Sequence, residues 1–404
     1  MNIYFAPMEG ITGYVFRNSY AACYGGIDAF YTPFISNPSL NQIELHDVLP
    51  ENNRGIRLIP QVLTNRVDYF VTIAKKLKYF GYDEVNLNLG CPSGTVVAKN
   101  RGSGLLREPK ELDKLLYEIF EASPLPVSVK CRIGISSEVE WEDILEVLLK
   151  YPTAELIIHP RLQKDFYKGD VHREAFDFAY HRIKEYSIDG VSGSSGKDFR
   201  LCYNGDIRTP EDFRALIRDY PGIDSVMLGR GLLWNPELAE QITRSIGGGS
   251  SATGSFASLR MTGYEDSSGL NETSLDTGSF ASLRMTGYED SSGLNETSLD
   301  PGSFASLRMT GYEDSSGLTA APDSVPSPGK SASPDIPRLR RFLDLLYENY
   351  RAEMSREGPA LMKLKELWSY LALYIQKTPQ EMRPLWKTKT LAEYKDVVNM
   401  LLSR

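Results

Sequence analysis

The sequence of 404 residues has no run of about 18 consecutive apolar residues, so a membrane-spanning helix is not expected. Its start, Met1-Asn2-Ile3-Tyr4-Phe5-Ala6-Pro7, has no basic stretch followed by an apolar one, which argues against a secretory signal and for a cytoplasmic location. Cysteine is scarce: Cys23, Cys91, Cys131 and Cys202 stand far apart with no C-x-x-C pair. That spacing argues against a structural zinc site, and a reducing compartment argues against disulfides, so no metal is expected. The turn after the first apolar run carries no G-x-G-x-x-G, and a dinucleotide-binding half is not indicated. The chain also lacks net positive charge; at −8 it offers a polyanion no favourable mean field.

What is present is an ordinary globular composition, 41% hydrophobic and 24% charged, with ample side chain for a sizeable core. The charge is unevenly placed. Residues 1–246 hold 28 Lys+Arg against 33 Asp+Glu, residues 247–334 hold 4 against 11, and residues 335–404 hold 13 against 9, so the tail alone is basic. In the middle, Gly-Ser-Phe-Ala-Ser-Leu-Arg-Met-Thr-Gly-Tyr-Glu-Asp-Ser-Ser-Gly-Leu recurs from Gly254, Gly278 and Gly302. A solenoid unit needs an apolar face to stack, and these units scatter single apolar residues among Ser, Thr, Gly, Asp and Glu. The segment 247–334 therefore reads as a disordered linker, a partner-binding array being the alternative.

Before it, short apolar or β-branched runs alternate with helical patterns. The strands expected are Ile3–Pro7, Ala29–Phe34, Arg57–Leu63, Glu84–Leu89, Val127–Cys131, Glu155–His159, Arg200–Asn204 and Ser225–Leu228. Helices are expected at Arg66–Phe80, Pro109–Ala122, Trp141–Leu149, Pro210–Asp219 and Pro236–Ile246, several opening on Pro or an N-capping residue. Eight strands alternating with helices over 1–246 fit an α/β (β/α)8 TIM barrel, with a doubly wound sheet as the alternative. In 335–404, Leu339, Phe342, Leu343 and Leu346, then Leu364, Leu367, Trp368 and Leu371, recur at helical spacing and predict a small helical domain.

A barrel of this kind builds its active site at the C-terminal ends of the strands. There stand Ala6-Pro7-Met8-Glu9-Gly10, Gln61, Asn86-Leu87-Asn88-Leu89-Gly90-Cys91-Pro92, Lys130 and Arg132, His159 and Arg161, Asn204-Gly205-Asp206 and Leu228-Gly229-Arg230-Gly231. The glycines after the last two strands suit a phosphate held by backbone N–H groups, or serve only tight turns. Lys130, ending Val127-Ser128-Val129, points toward the barrel mouth, where a fixed cation stabilises the electron-rich N1/O2 edge of a reduced flavin. Gln61 adds a neutral hydrogen bond to the same ring system or is an ordinary polar strand end. Cys91 opens the loop Ser93 to Gly104, expected to close over a substrate. An exposed thiol there donates a proton, the bland reading being a small hydrophobe in a turn; Cys23, Cys131 and Cys202 read as buried packing residues.

Taken together, Ala6-Pro7-Met8, Phe16-Arg17, Asn88-Leu89-Gly90-Cys91-Pro92, Val129-Lys130-Cys131-Arg132, His159-x-Arg161, Asn204-Gly205-Asp206 and Met227-Leu228-Gly229-Arg230-Gly231 resemble the bacterial tRNA-dihydrouridine synthases in order and spacing. The resemblance implies an FMN enzyme that uses NADPH to reduce uridine to 5,6-dihydrouridine in tRNA. It implies that Pro7, Met8, Glu9, Gln61, Lys130 and His159 hold the flavin ring and its polar tail. It assigns the ribityl and phosphate end to Asn204, Gly205, Asp206, Gly229 and Arg230. Cys91 becomes the general acid, with Asn88, Arg132 and Arg161 on the substrate. The basic tail matches the family's tRNA-binding domain, a monomer is expected, and the repeats are foreign to the pattern. Two other classes share part of this set. A flavin barrel acting on a free pyrimidine, similar to dihydroorotate dehydrogenase, has no use for a basic helical tail, and a non-catalytic RNA-binding protein needs neither Cys91 nor a flavin.

Overall fold

The computed structural model describes residues 1–188, 199–247 and 333–403; the 24-residue repeats, on which the linker reading rests, lie outside the described residues. In chain order the elements are β1 (Asn2–Phe5), α1 (Tyr14–Cys23), β2 (Ala29–Tyr31), α2 (Gln42–Val48), β3 (Leu58–Ile59), β4 (Gln61–Val62), α3 (Val67–Tyr79), β5 (Val85–Leu89), α4 (Gly94–Val97), α5 (Pro109–Ala122), β6 (Val127–Arg132), α6 (Glu140–Leu149), β7 (Leu156–His159), α7 (Arg173–Ile188), β8 (Leu201–Tyr203), α8 (Pro210–Asp219), β9 (Ser225–Leu228), α9 (Arg230–Trp234) and α10 (Leu238–Gly247). Beyond the repeats come α11 (Ile336–Glu353), α12 (Glu357–Tyr374), α13 (Arg383–Lys387) and α14 (Leu391–Leu402).

The strands form one sheet in the order β3-β2-β1-β9-β8-β7-β6-β5-β4, with every pairing parallel. Its two ends, β3 and β4, are a single run of chain split at Pro60, which has no N–H for the ladder. The Pro60 carbonyl still accepts the Asn86 N–H at 2.9 Å. Counted as one, the run completes eight strands, and the sheet closes into the (β/α)8 barrel that the alternation of elements predicts.

Parity along each strand decides what the barrel mouth receives. In β6, Val127, Val129 and Cys131 point outward into the core shared with the helices, which leaves Ser128, Lys130 and Arg132 on the inner face. The same alternation in β5 buries Val85, Leu87 and Leu89 outward and turns Asn86 and Asn88 in. Tyr4, Ala6, Ala29, Tyr31, Ile59, Ile157, Cys202 and Met227 fill the barrel interior as a separate apolar cluster. Cys131 and Cys202 are thus packing residues of opposite faces, and all four cysteines are free.

Local signals place the helix starts. Thr209 caps α8 by accepting the Asp212 N–H at 3.1 Å, with Pro210 in the first turn. Both α5 and α8 begin and end where the sequence pattern puts them. The pattern left α7 unnamed, although Phe176, Ala179, Tyr180 and Ile183 keep helical spacing and are buried, because polar residues outnumber them in the segment. Among the described residues no helix is long and apolar enough to cross a membrane.

The helices after the repeats share a core with the barrel, and the described parts on either side of the repeats form one compact unit. Phe342 of α11 is 1% exposed and meets Phe16, Tyr20 and Tyr24 of the α1 region at centroid distances of 5.7, 6.2 and 5.5 Å. Arg338 donates to the Cys23 carbonyl at 2.6 Å, lies 4.6 Å over the Tyr24 ring and pairs with Glu240 of α10. From α12, Lys363 donates to the Gly10 carbonyl, next to the loop that follows β1. Replacing Phe342 by Ala is expected to destabilise the protein by about 3–5 kcal/mol. Thermal unfolding should show one transition moved downward for barrel and tail together. A tail that melts alone, with the barrel transition unmoved, would show that the two cores are separate.

Candidate active site

The C-terminal ends of the strands surround a cavity lined by Pro7, Met8, Glu9, Gln61, Asn88, Cys91, Lys130, Arg132, His159, Asn204, Gly205, Asp206, Gly229 and Arg230. Every site residue read from the sequence is therefore on its wall except Arg161. A second groove, between Leu40 and Leu45 on one side and Tyr79 and Phe80 on the other, also takes in Ser39, Lys75 and Lys76 and contains none of these residues.

A hydrogen-bonded chain sets the turn that carries Cys91. The Asn88 Oδ1 accepts the N–H groups of both Gly90 and Cys91 at 2.9 Å, and its Nδ2 donates to Gln61 at 2.7 Å. Gln61 donates to Asn86 at 2.8 Å, and Asn86 to Ser128 at 3.0 Å, so inward polar groups of β4, β5 and β6 satisfy one another. The Cys91 carbonyl is taken by the N–H and hydroxyl of Ser103, at 3.1 and 2.8 Å. Gly102 makes that approach possible: its φ is +56°, and a Cβ there would lie 2.9 Å from the Cys91 Cβ. The loop after Cys91 contains α4, with Val96, Val97 and Ser103 buried, Gly94, Thr95 and Ala98 to Asn100 exposed, and Asn65 donating to the Lys99 carbonyl at 3.1 Å. Burial pushes the Cys91 thiol up, so it stays protonated in the neutral range.

The remaining wall is crowded with cations. Lys130 makes no side-chain hydrogen bond or ion pair among the described residues. Burial, with Arg132 nearby, pulls its ammonium down to about 8. Arg132, 1% exposed, spends its N–H groups on the carbonyls of Gly90, Leu162 and Phe166, at 2.9, 2.9 and 2.6 Å. Arg161, fully buried and absent from the cavity wall, grips both Asp206 oxygens at 3.1 and 2.8 Å and the carbonyls of Lys168 and Gly169. These groups and His159 take all its donors, although the sequence reading puts it on a substrate. Arg132 likewise acts on backbone, tying the Cys91 turn to the loop after β7. Burial and the neighbouring guanidiniums push His159 well below the usual imidazole range, and it is neutral.

At the mouth, loss of water pushes the Glu9 carboxyl up to about 7 against the pull of Lys363 on α12. The loop that bears Met8 and Glu9 is braced from below. Met8 N–H donates to Thr12 Oγ1 at 2.8 Å, and buried Arg17 holds the Thr12 carbonyl at 2.8 Å and Asp47 at 3.1 Å. Sequence reasoning missed the aromatic rim and one arginine. Tyr167 has Arg132 and Arg230 at 5.3 and 5.2 Å, and Trp234 has Arg208 and Arg230 at 5.2 and 5.3 Å. Tyr167 follows β7 by a loop that reverses at Phe166, φ 51°, and no local pattern announces it. Gly102→Ala should destabilise the protein by about 1–3 kcal/mol, from a left-handed φ and the clash with Cys91. Denaturant unfolding checks the loss, and an unchanged midpoint would mean the turn tolerates the side chain.

Comparison with known proteins adds the following. Residues 4–253 match the dihydrouridine synthase family, Dus. A probable tRNA-dihydrouridine synthase of Staphylococcus aureus (strain Mu50 / ATCC 700699) is 31% identical over 243 residues, 59% of this chain and 70% of that protein. Probable tRNA-dihydrouridine synthase 2 of Bacillus subtilis (strain 168) is 30% identical over 237 residues, 57% of this chain and 69% of that protein. Among solved structures, morphinone reductase in complex with tetrahydroNAD aligns with a TM-score of 0.41 and 12% identity, over 60% of this chain and 86% of that one. The match over most of the barrel, with the motif residues gathered on one cavity, shows that the chain belongs to the dihydrouridine synthase family.

Proposed function

We propose that the chain reduces uridine in tRNA to 5,6-dihydrouridine with FMN and NADPH, Cys91 being the general acid. One observation carries the reading: Lys130, an ammonium without a partner among the described residues, and Cys91, a protonated thiol in the turn after β5, line the same cavity, where Asn88 of β5 and Lys130 of β6 are register partners.

The residues fit a flavin mononucleotide. A buried cation without a counter-ion is costly unless an electron-rich group completes it, and the N1/O2 edge of an isoalloxazine is such a group. Gln61, with one amide hydrogen left after its bonds to Asn86 and Asn88, and neutral His159 add hydrogen-bonding capacity beside it. Pro7 and Met8 offer an apolar edge. Gly229 keeps the floor open, since a Cβ there would project to 3.5 Å from Ala6 and 4.0 Å from Met8. The flavin, reduced by NADPH, supplies the hydride that saturates the pyrimidine 5,6 bond.

The chain supplies the rest. Asn88 fixes the amides of Gly90 and Cys91 and so fixes where the thiol stands, and Cys91 delivers its proton to C5 as charge builds there. Arg132 locks that turn to the loop bearing Tyr167, so the acid and the aromatic rim keep one spacing. The surplus of fixed cations favours the negative charge that develops on the uracil. On the tail, Trp386, Lys387, Lys389 and Lys395 are exposed, and the lysines suit the phosphates around a uridine drawn out of its stack.

Cys91→Ala is expected to leave FMN bound and reducible by NADPH while cutting uridine reduction in tRNA by at least 10²-fold, the usual worth of general acid catalysis. Equal turnover by the two proteins, measured as dihydrouridine formed, would remove Cys91 from this role. FMN affinity should fall as pH rises through about 8, because the flavin edge prefers protonated Lys130 and its binding takes up a proton above that pH. Lys130→Met should bind FMN more weakly and lose this pH dependence. A wild-type protein that takes up no FMN at any pH would end the reading.

A further inference from the structure

The turn that carries Tyr167 is fastened by a residue outside the cavity. Tyr167 stands third in the turn 165–168, where the Lys168 N–H meets the Asp165 carbonyl at 2.8 Å. The Asp165 Oδ2 atom accepts the Leu162 N–H at 2.8 Å and faces His172 Nε2 at 2.9 Å. The backbone N–H of His172 donates to the Pro160 carbonyl at 2.8 Å, just past β7, so its main chain and its ring both fasten the loop on itself. The other ring nitrogen, Nδ1, lies 2.7 Å from Glu138 Oε1 in the loop after β6. One side chain thus joins the loop that follows Arg132 to the loop whose Leu162 and Phe166 carbonyls Arg132 holds.

Two carboxylates make a demand that one form of the ring meets. A carboxylate only accepts, and a neutral imidazole has one N–H and one lone pair, so neutral His172 would satisfy one neighbour and set a lone pair against the other. The imidazolium donates to both. Other charges of the surrounding segments are engaged elsewhere: Glu140 on the amides of Ile135, Ser136 and Ser137, Lys164 on the Ser136 carbonyl at 2.6 Å, and Arg173 on Asp219 at 3.0 Å. Lys168, Asp170 and Glu174 are exposed to solvent. Among the described residues, Glu138 and Asp165 are the charged side chains that meet the ring, and with 25% of its side chain exposed His172 can exchange its proton with water.

We propose that His172, as an imidazolium, is a positioning residue for tRNA binding: bridged to Glu138 and Asp165, it holds Tyr167 beside Arg132 at the mouth, and its deprotonation loosens that loop and weakens the hold on the uridine. The assignment rests on the uridine-reduction reading above. Its sign follows from the contacts. The bridge is complete at low pH and loses one arm as pH rises and the ring gives up its proton. No motif read from the sequence contains His172, because its partners come from the loops after two different strands.

The test uses the full chain. Nitrogen NMR of the four histidine rings, with His172→Gln to assign the signal, should show both His172 nitrogens protonated at about pH 6, and a neutral ring there overturns the proposal. With FMN saturating, the KM for tRNA should rise about three- to fivefold from about pH 6 to about pH 9, the worth of one or two exposed ion pairs. Glu9 and Lys130 titrate in the same range, so the variants decide. His172→Arg, a permanent cation with several donors, should keep KM low at both ends, and His172→Gln should keep it high at both. A pH dependence of KM that both variants share with the wild type overturns the proposal, as does a change in kcat with none in KM. If the wild type forms no dihydrouridine, the uridine-reduction reading fails by itself. Trypsin then tests the bridge alone: at about pH 6.5, cleavage after Lys168 should be about threefold faster in His172→Gln than in the wild type, and equal rates reject it.

Discussion

The concentration of positive charge in a water-poor cavity is the constraint to which the rest of the site answers. Lys130, Arg132, Arg208 and Arg230 line one mouth, with Arg161 directly behind, and the ionised carboxylate among them is Asp206. A fold tolerates such crowding only if each guanidinium is given acceptors. The chain provides them as backbone carbonyls: Gly90, Leu162 and Phe166 for Arg132, Lys168 and Gly169 for Arg161, Tyr167 for Arg230. The loop from Leu162 to Gly169 owes its path to these bonds, and Tyr167 its place on the rim. His159 is neutral for the same reason, since a fifth cation on that wall would have no partner.

Against this background the Cys91 thiol and the cations line one cavity without neutralising each other. The cations nearby pull the Cys91 thiol toward ionisation, while its burial works the other way and prevails. Its position is held from both sides, by Asn88 on its amide and Ser103 on its carbonyl. The bracing of Met8 through Thr12 and Arg17 gives the opposite wall the same rigidity, and explains in physical language why a Phe-Arg pair a turn into α1 belongs to the site. Phe16 carries the core contact to Phe342 and Arg17 carries the loop.

That contact also changes what the tail is. Read as a helical domain following a barrel, residues 335–404 are free to be a separate module; packed as they are, α11 completes the core around α1 and α12 reaches the mouth through Lys363. The Glu9 carboxyl, at about 7, has its titration set partly by a lysine more than 350 residues away in sequence. The tail helices and the barrel mouth therefore share one packed core.

The sequence by itself determined the strand and helix order, the barrel, and nearly all the cavity wall, because period-two alternation with a polar residue at each strand end is a local pattern and the fold turns strand ends into a mouth. It determined that Cys131 and Cys202 are packing residues, since each lies within an apolar run. Only the tertiary structure decided that Arg161 and Arg132 are spent on carbonyls, that Asp206 is a hub for three arginines, that Arg208, Tyr167 and Trp234 join the wall, and that the loop after Cys91 buries Val96, Val97 and Ser103. The physical reason is common to these cases. Hydrogen-bond saturation and charge balance are properties of a closed set of neighbours, and those neighbours come from strands and helices far apart along the chain.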